Sequence, residues 1–295
     1  MPDSSALVDV VVVSYNSRDQ LRRCVEPLAA EAGDISVIVV DNDSPDRSLE
    51  AIADLPVTAI QTHANGGFAV GCNRGWRAGE APFVLFLNPD ARIDAAAVRT
   101  LARALEAQPR AGAAGPRIEQ DGKLAFSQRR FPRLASTYAH ALFLHRLFPH
   151  AAWASELVRD EAAYERPGSP EWISGAAIMV RRPLLERLGG LDEGFFLYCE
   201  DKDLCRRIRD LGHDVLYEPA ALARHEGGAS APRPTLLPVL AASRVRYARK
   251  HAGRATAVLE RAGVALVALT HSLVSSGGRP ARAGHLNALR TVLRR

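Results

Sequence analysis

Four runs of apolar, mostly β-branched residues, each closing on a small polar or acidic cluster, constrain this chain more than any other feature. Residues 8–13 run into Ser14-Tyr15-Asn16, and residues 35–40 into Asp41-Asn42-Asp43-Ser44-Pro45. Residues 57–61 lead to Asn65-Gly66-Gly67, and residues 83–87 to Asn88-Pro89-Asp90. The first two runs read as strands buried on both faces. The intervening segments 17–31, 45–54, 68–78 and 95–108 read as helices, with Ser44 before Pro45 and Asp94 before an alanine-rich run as N-cap signals. Short connections between alternating strands and helices predict an α/β fold, a mostly parallel sheet flanked by helices. Right-handed crossovers then bring the C-terminal ends of the four strands to one edge, where ligands of open α/β sheets bind. The scattered polar clusters are therefore expected to converge.

A second signal lies at Tyr198-Cys199-Glu200-Asp201-Lys202-Asp203, directly after Phe195-Phe196. Adjacent carboxylates at the mouth of a helix beside aromatic surface point to proton-transfer chemistry. The helix N-terminus favours ionised acids, while water exclusion raises a carboxyl toward the range of a general base. An acidic first turn with no chemical role is the plain structural reading of the same residues. Asp203 reads as a helix-surface residue or a partner of Arg206 or Arg207.

Charge separates the C-terminal end from the rest. Residues 235–295 hold eleven Lys and Arg against the single acid Glu260, more positive charge than the net +5 of all 295 residues. Apolar residues interleave with these, which predicts a basic helical tail of amphipathic helices. Such helices suit a membrane surface or an anionic partner, or pack on the body with their arginines in water. No nucleic-acid-binding motif accompanies the charge. The uncharged stretch beginning at Ala262 is interrupted by Thr270, His271 and Ser272 and reads as too short to span a bilayer. Residues 1–5 lack a basic-then-apolar leader pattern. The four cysteines, Cys24, Cys72, Cys199 and Cys205, show no CxxC spacing, so reduced cytoplasmic thiols are expected rather than a metal ribbon.

Taken in order, Val11-Val12-Val13-Ser14-Tyr15-Asn16, Val39-Val40-Asp41-Asn42-Asp43-Ser44, Asn65-Gly66-Gly67-Phe68-Ala69 with Gly71 and Asn73, and Leu87-Asn88-Pro89-Asp90 resemble the donor half of family 2 inverting glycosyltransferases. Trp172-Ile173-Ser174-Gly175-Ala176-Ala177, Gly189-Gly190-Leu191-Asp192-Glu193, Phe195-Phe196-Leu197-Tyr198, Glu200-Asp201 with Asp203-Leu204, and His225 with Gly227-Gly228 resemble that family's bacterial rhamnosyltransferase branch. The resemblance spans about residues 8–230. It implies a GT-A, Rossmann-like fold over 1–234, with a donor-binding half to about 110 and an acceptor and catalytic half to 234. Residues 235–295 would be the helical appendage.

The resemblance also implies roles. Asp41 would accept a hydrogen bond from the pyrimidine of a nucleotide sugar, with Ser14, Tyr15 and Asn16 lining the base and ribose pocket. Asn65, Gly66 and Gly67 would let the chain pass close to the donor, and Asn73 would touch ribose or sugar. Asn88-Pro89-Asp90 takes the place of the acid-x-acid metal motif, with an amide first. Asp90 would hold Mg²⁺ or Mn²⁺, His225 would complete the shell, and Asn88 would reach a sugar hydroxyl. Asp201 would be the catalytic base, Glu200 would orient the base or acceptor, and Trp172, Ser174, Gly175 and Tyr198 would form the acceptor side. Asp192 either binds acceptor or belongs to a turn. Residues 126–170 read as a mobile flap or a helical insertion.

The implied activity is inverting transfer from dTDP-rhamnose to a lipid-linked or polysaccharide acceptor in cell-envelope synthesis, by a cytoplasmic protein peripheral at the inner face of the membrane. The same fold using UDP-galactofuranose or UDP-N-acetylglucosamine is the alternative. A catalytically silent sugar-nucleotide-binding scaffold and a nucleotidyltransferase are the readings from other classes. The set Asp41, Asp90, Asp201 and His225 argues against the first of these, and the missing glycine-rich basic loop after residue 13 argues against the second.

Overall fold

The computed structural model describes residues 6–31, 33–226, 232–275 and 277–294. Gly227 and Gly228 of the resemblance, residues 1–5 and Arg295 lie outside them. Strands β1 (Val8–Ser14), β2 (Ile35–Asp41), β3 (Thr58–Gln61) and β4 (Phe83–Leu87) pair in parallel in the order β3-β2-β1-β4. All of β1 and all but one residue of β2 are buried, as their unbroken apolar runs predict. Alternate residues serve opposite faces. Val8, Val10 and Val12 pack with α1 (Arg18–Ala29) and α3 (Ala95–Ala107), whereas Val11 and Val13 pack with α2 (Phe68–Arg77).

Asp94 caps α3 by accepting the Ala97 N–H at 2.7 Å. The helix expected over 45–54 is instead one 3-10 turn, Ser48–Ile52. Ser44 does not cap it, because its hydroxyl and its N–H both donate to the Asp41 carboxylate, and Arg47 sits at φ +55°. The chain spends its polar groups on a turn around Asp41 rather than on a helix start.

Beyond β4 come β5 (Ala91–Ile93), β6 (Ala111–Gln120), β7 (Lys123–Leu124), β8 (Gln128–Arg129), β9 (Trp172–Ile173), β10 (Ala177–Arg181) and β11 (Asp214–His225). Among the described residues the main sheet runs β3-β2-β1-β4-β10-β6-β11-β5, with β7 on β6, while β8 and β9 pair separately. β10 is antiparallel to β4 and β6, and β5 is antiparallel to β11. Residues 126–170 carry β8 and two short helices, α4 (Leu134–Ala141) and α5 (Leu144–Leu147). α6 (Arg182–Leu188) and α7 (Glu200–Asp210) pack with α2 against the sheet.

The C-terminal helices α8 (Arg233–His251), α9 (Arg254–Val274) and α10 (Gly278–Arg294) share a small core around Val245, Val264 and Val292. They pack on the body, and part of their positive charge points inward. Arg244 of α8 meets Glu156 at 3.2 Å and Glu260 of α9 at 3.3 Å, Lys202 of α7 meets Glu156 at 2.9 Å, and Thr137 of α4 donates to Glu260 at 2.6 Å. The expectation that a packed tail keeps its arginines in water therefore fails at Arg244, whereas Arg246 binds Asp192 from a half-exposed position. α9 also departs from expectation. By length and composition alone it is apolar enough to cross a membrane, because the helix extends past Thr270 to Val274; a third of its apolar window is buried here. All four cysteines are buried and unpaired.

Burial raises the Glu156 carboxyl, but the charges of Lys202 and Arg244 outweigh it and hold Glu156 down at about 2. Its stabilising contribution is therefore present above the ordinary carboxylate range and is lost as pH falls from about 4.3 toward 2. Replacing Arg244 by Met leaves Glu260 without its cation and Glu156 with Lys202 alone, and should cost about 3–5 kcal/mol. Urea unfolding at pH 7 checks this. Glu156→Gln should remove part of the acid dependence seen when the wild-type midpoint is followed between pH 5 and pH 2.5.

Candidate active site

The sheet register brings the four polar junctions together. Ser14 pairs with Asp41, Asp41 with Gln61, and Val12 with Leu87, so Asn88 leaves the sheet beside the end of β1. Ser14 Oγ lies 2.8 Å from Ser17 Oγ, and Asn16, at φ +52°, donates its N–H to Ser44 Oγ. Tyr15 is exposed at this edge. Asp41 is buried and already accepts both donors of Ser44, so its carboxylate is oriented by its own turn. Asn65 accepts the Gly67 N–H at 3.0 Å, shaping the loop before α2.

Two glycines expected to admit the donor are used otherwise. A Cβ on Gly67 would stand 2.3 Å from the Phe196 carbonyl oxygen, which accepts the Phe68 N–H, so this glycine lets the segment before α7 approach α2. A Cβ on Gly66 would meet Val70. Asn73 is likewise spent within the fold. Its amide donates to the Leu191 carbonyl and to Glu193, and its oxygen accepts from Leu191 N–H and Trp76 Nε1, each at 2.9–3.0 Å. With both N–H groups and both lone pairs engaged, Asn73 has nothing left for a sugar. Asp192 also departs from an acceptor role. Arg246 and Lys250 of α8 bind it at 2.8 and 2.7 Å, and although burial raises its carboxyl, these partners hold it down at about 2.

Asp90 and His225 do come together. β5 pairs antiparallel with the end of β11, Ala91 opposite His225, which sets the imidazole Nε2 3.1 Å from Asp90 Oδ1. Among the described residues no cluster of three or more His, Cys, Asp or Glu surrounds them.

Asp201 lies in the first turn of α7, after Tyr198 and Cys199, both at φ +68°. Two consecutive non-glycine residues in the left-handed region store backbone strain, which folds retain at functional sites. The Asp201 carboxylate accepts the Gly175 N–H at 2.8 Å and the Lys202 N–H at 2.7 Å. A Cβ on Gly175 would stand 2.8 Å from Asp201 Cβ, so Gly175 positions the acid and also lines the cavity beside it. Glu200 is fully buried with one carboxylate oxygen lacking a partner, and burial with the adjacent Asp201 charge pushes its pKa well up. Its environment favours the protonated form beside the candidate base. Asp203 is not on the helix surface: it is buried, pairing with Arg207 and His251 at 2.8 and 2.7 Å.

These groups border a cavity of about 970 Å³. Asn88 and His225 meet it from the donor edge; Asp201, Glu200, Ser174 and Tyr198 meet it from the other side. Trp172 lines it from a largely buried position, its Nε1 donating to the Arg130 carbonyl. Sequence reasoning misses Arg129, Glu156, Arg159 and Arg244 on its wall. For Arg129, Glu156 and Arg159 the one signal is the density of Arg and His in residues 126–170, a segment without strand pattern; for Arg244 it is the basic character of residues 235–295.

The match to the family described as Glycosyl transferase family 2 runs over residues 9–188. The chain belongs to this family. It is 33% identical over 235 residues to the N-acetylglucosaminyl-diphospho-decaprenol L-rhamnosyltransferase of Mycobacterium tuberculosis, covering 74% of this chain and 76% of the relative. It is 26% identical over 232 residues to the rhamnosyltransferase WbbL of Escherichia coli, covering 74% and 83%. Among solved structures, the mannosyltransferase PcManGT of Pyrobaculum calidifontis, in complex with GDP-Man and Mn2+, aligns with a TM-score of 0.59 at 18% identity, over 99% of this chain and 88% of that one. GalNAc-T7 with UDP, GalNAc and Mn2+ aligns at 0.60 and 12%, over 84% and 51%. The fold is thus GT-A-like, with α8–α10 added to the family 2 core.

Gly175→Ala should displace the Asp201 carboxylate and lower turnover at least tenfold while the melting temperature stays within a few degrees. Glu200 supplies a second expectation. Its raised pKa means that the unfolded chain releases this proton first, so Glu200 costs stability as pH rises above about 4.3. Glu200→Gln should therefore melt higher than wild type at pH 8, with the difference shrinking by pH 4.

Proposed function

We propose that this glycosyltransferase moves L-rhamnose from dTDP-rhamnose onto a lipid-linked acceptor for cell-envelope glycan, with inversion and with Mg²⁺ or Mn²⁺ bound. The observation that carries the transfer chemistry is the Asp201 carboxylate, fixed by two backbone N–H groups and bordering the same cavity as Asn88 and His225. The two rhamnosyltransferases among its relatives favour the sugar. The exposed apolar side chains of α9, Leu269, Leu273 and Val274, favour work at the inner face of a membrane.

The residues present fit a divalent ion. Asp90 and His225, whose Oδ1 and Nε2 face each other at 3.1 Å, would hold it, a carboxylate suiting Mg²⁺ or Mn²⁺ and an imidazole being a common metal ligand. When bound, the ion supplies positive charge against that growing on the departing nucleotide.

Asp201 takes the proton from the acceptor hydroxyl as that oxygen attacks the anomeric carbon on the face opposite the nucleotide diphosphate. The C–O bond to the acceptor forms, the bond to the diphosphate oxygen breaks, and the proton rests on the Asp201 carboxylate. Gly175 and Lys202 N–H groups keep this carboxylate aimed. Burial and the Asp201 charge favour protonated Glu200, which disfavours a second negative charge beside the base. General-base assistance of this kind is worth about 10²–10⁴-fold.

Asp201→Asn should lower acceptor-dependent release of dTDP by about that factor and leave donor binding within twofold; undiminished turnover excludes Asp201 as the base. Asp90→Ala should weaken Mn²⁺-dependent dTDP binding at least tenfold, measured by calorimetry with and without the ion. Assays with dTDP-rhamnose beside UDP-sugars decide the donor, since turnover of a UDP-sugar alone would overturn the rhamnose assignment.

A further inference from the structure

Away from Asp201 the cavity changes character along its length. Arg129 and Arg159 line it. Arg129 lies over the Trp172 ring and Arg159 over the Phe126 ring, at 5.5 and 5.6 Å, and the Nε of each is buried without a partner. Among the described residues neither guanidinium has an ion pair, although most other buried cations of the protein have one. Two adjoining guanidiniums without a carboxylate are costly to bury unless an anion joins them. Burial lowers the Arg129 pKa, the neighbouring Arg159 lowers it further, and Glu156 and Asp201 act in the opposite sense, which places Arg129 within electrostatic reach of both the base and Arg159.

A ladder of rings follows. Arg159 acts on His145, which stacks on His140 at 4.4 Å; His140 stacks on His271 of α9 at 4.8 Å; His271 meets His285 of α10 at 5.5 Å. Burial, with the neighbouring cations, lowers the pKa of His140 to about 3 and shifts the others downward, so these are neutral rings. Beside them Leu237, Leu240, Val264, Val267, Ala268 and Ala288 of α8–α10 complete an apolar wall. The cavity therefore brings together a candidate carboxylate base, two guanidiniums without ion pairs among the described residues, neutral rings and an aliphatic wall, with Arg233 of α8 also on its lining.

We infer that this cavity holds a polyprenyl diphosphate sugar lengthwise, with Arg129 and Arg159 clamping the diphosphate and the helices α8–α10 sheathing the first isoprene units. The inference rests on the reading of Asp201 as the base, because the sugar attached to the diphosphate then falls beside that carboxylate. Guanidinium forks match phosphate oxygens geometrically, and a wall of aliphatic side chains suits a methyl-branched hydrocarbon chain. It gives the C-terminal helices a chemical task, since without them the cavity has cations but no apolar end.

The test uses the full chain, with farnesyl diphosphate, inorganic diphosphate and dTDP plus Mn²⁺ as separate calorimetric probes. Farnesyl diphosphate should bind at least tenfold more tightly than inorganic diphosphate and should not compete with dTDP. Arg129→Ala and Arg159→Gln should each weaken it about tenfold or more. Val267→Asp should weaken farnesyl diphosphate while leaving inorganic diphosphate within twofold. Unchanged dTDP affinity in all three variants shows that they are folded. Farnesyl diphosphate binding that ignores both arginine substitutions, or that is displaced by dTDP, overturns the clamp. Equal affinity for inorganic diphosphate overturns the lipid sheath. A wild-type protein that binds farnesyl diphosphate but not dTDP would contradict the dTDP-sugar reading of the donor edge and leave the clamp standing.

Discussion

Strand β10 runs against both of its neighbours, and this reversal sets the N-terminal end of β10 beside the C-terminal end of β4. Ala177 pairs with Leu87, and the Asn88 N–H donates to the Ala176 carbonyl. The segment carrying Trp172, Ser174 and Gly175 is thereby delivered to the edge where the parallel strands discharge their polar junctions. Gly175 in turn fixes Asp201, the first turn of α7 fixes Glu200, and the β5–β11 pairing brings His225 to Asp90. Backbone hydrogen bonds of the sheet, rather than contacts among the site's side chains, thus set the relative positions of the proposed base and the proposed metal ligands. Such an arrangement costs no reorganisation when substrate arrives.

A second layer of control is electrostatic. Lys202, Glu156, Arg244 and Glu260 form a chain of alternating charge from α7 through the 126–170 segment to α8 and α9. It ties the C-terminal helices to the catalytic helix itself, so the wall of the cavity and the base belong to one rigid network. Arg129 and Arg159 stand just outside that network, within the same cavity and, among the described residues, without an ion pair. The contrast between cations that have an acid partner and these two supports assigning them to a ligand.

Much of this is legible in the residues. Burial on both faces forces β1, β2 and β4 to be apolar throughout, so their ends are plain, and the carboxylates of α7 announce a helix mouth. What local pattern misses is long-range. Asn73 reads as a free amide until Leu191, Glu193 and Trp76 converge on it from distant positions. Gly67 reads as a ligand glycine, yet it is the Phe196 backbone that needs the space. Ser44 before Pro45 carries the usual cap signal, but a buried Asp41 competes for the same donors and wins. Arg129 lies in a two-residue strand, too short to leave any periodicity. The inward turn of Arg244 is invisible because its acids, Glu156 and Glu260, lie 88 and 16 residues away.

The central claim is a single displacement in which Asp201 serves as the one base. The most direct measurement is the anomeric configuration of the first-formed product, read by NMR from the one-bond C–H coupling of the transferred sugar. The account predicts inversion relative to the nucleotide sugar. Retention of the donor's configuration would contradict it, since retention through a covalent intermediate requires a nucleophile on the opposite face and two displacements in place of one.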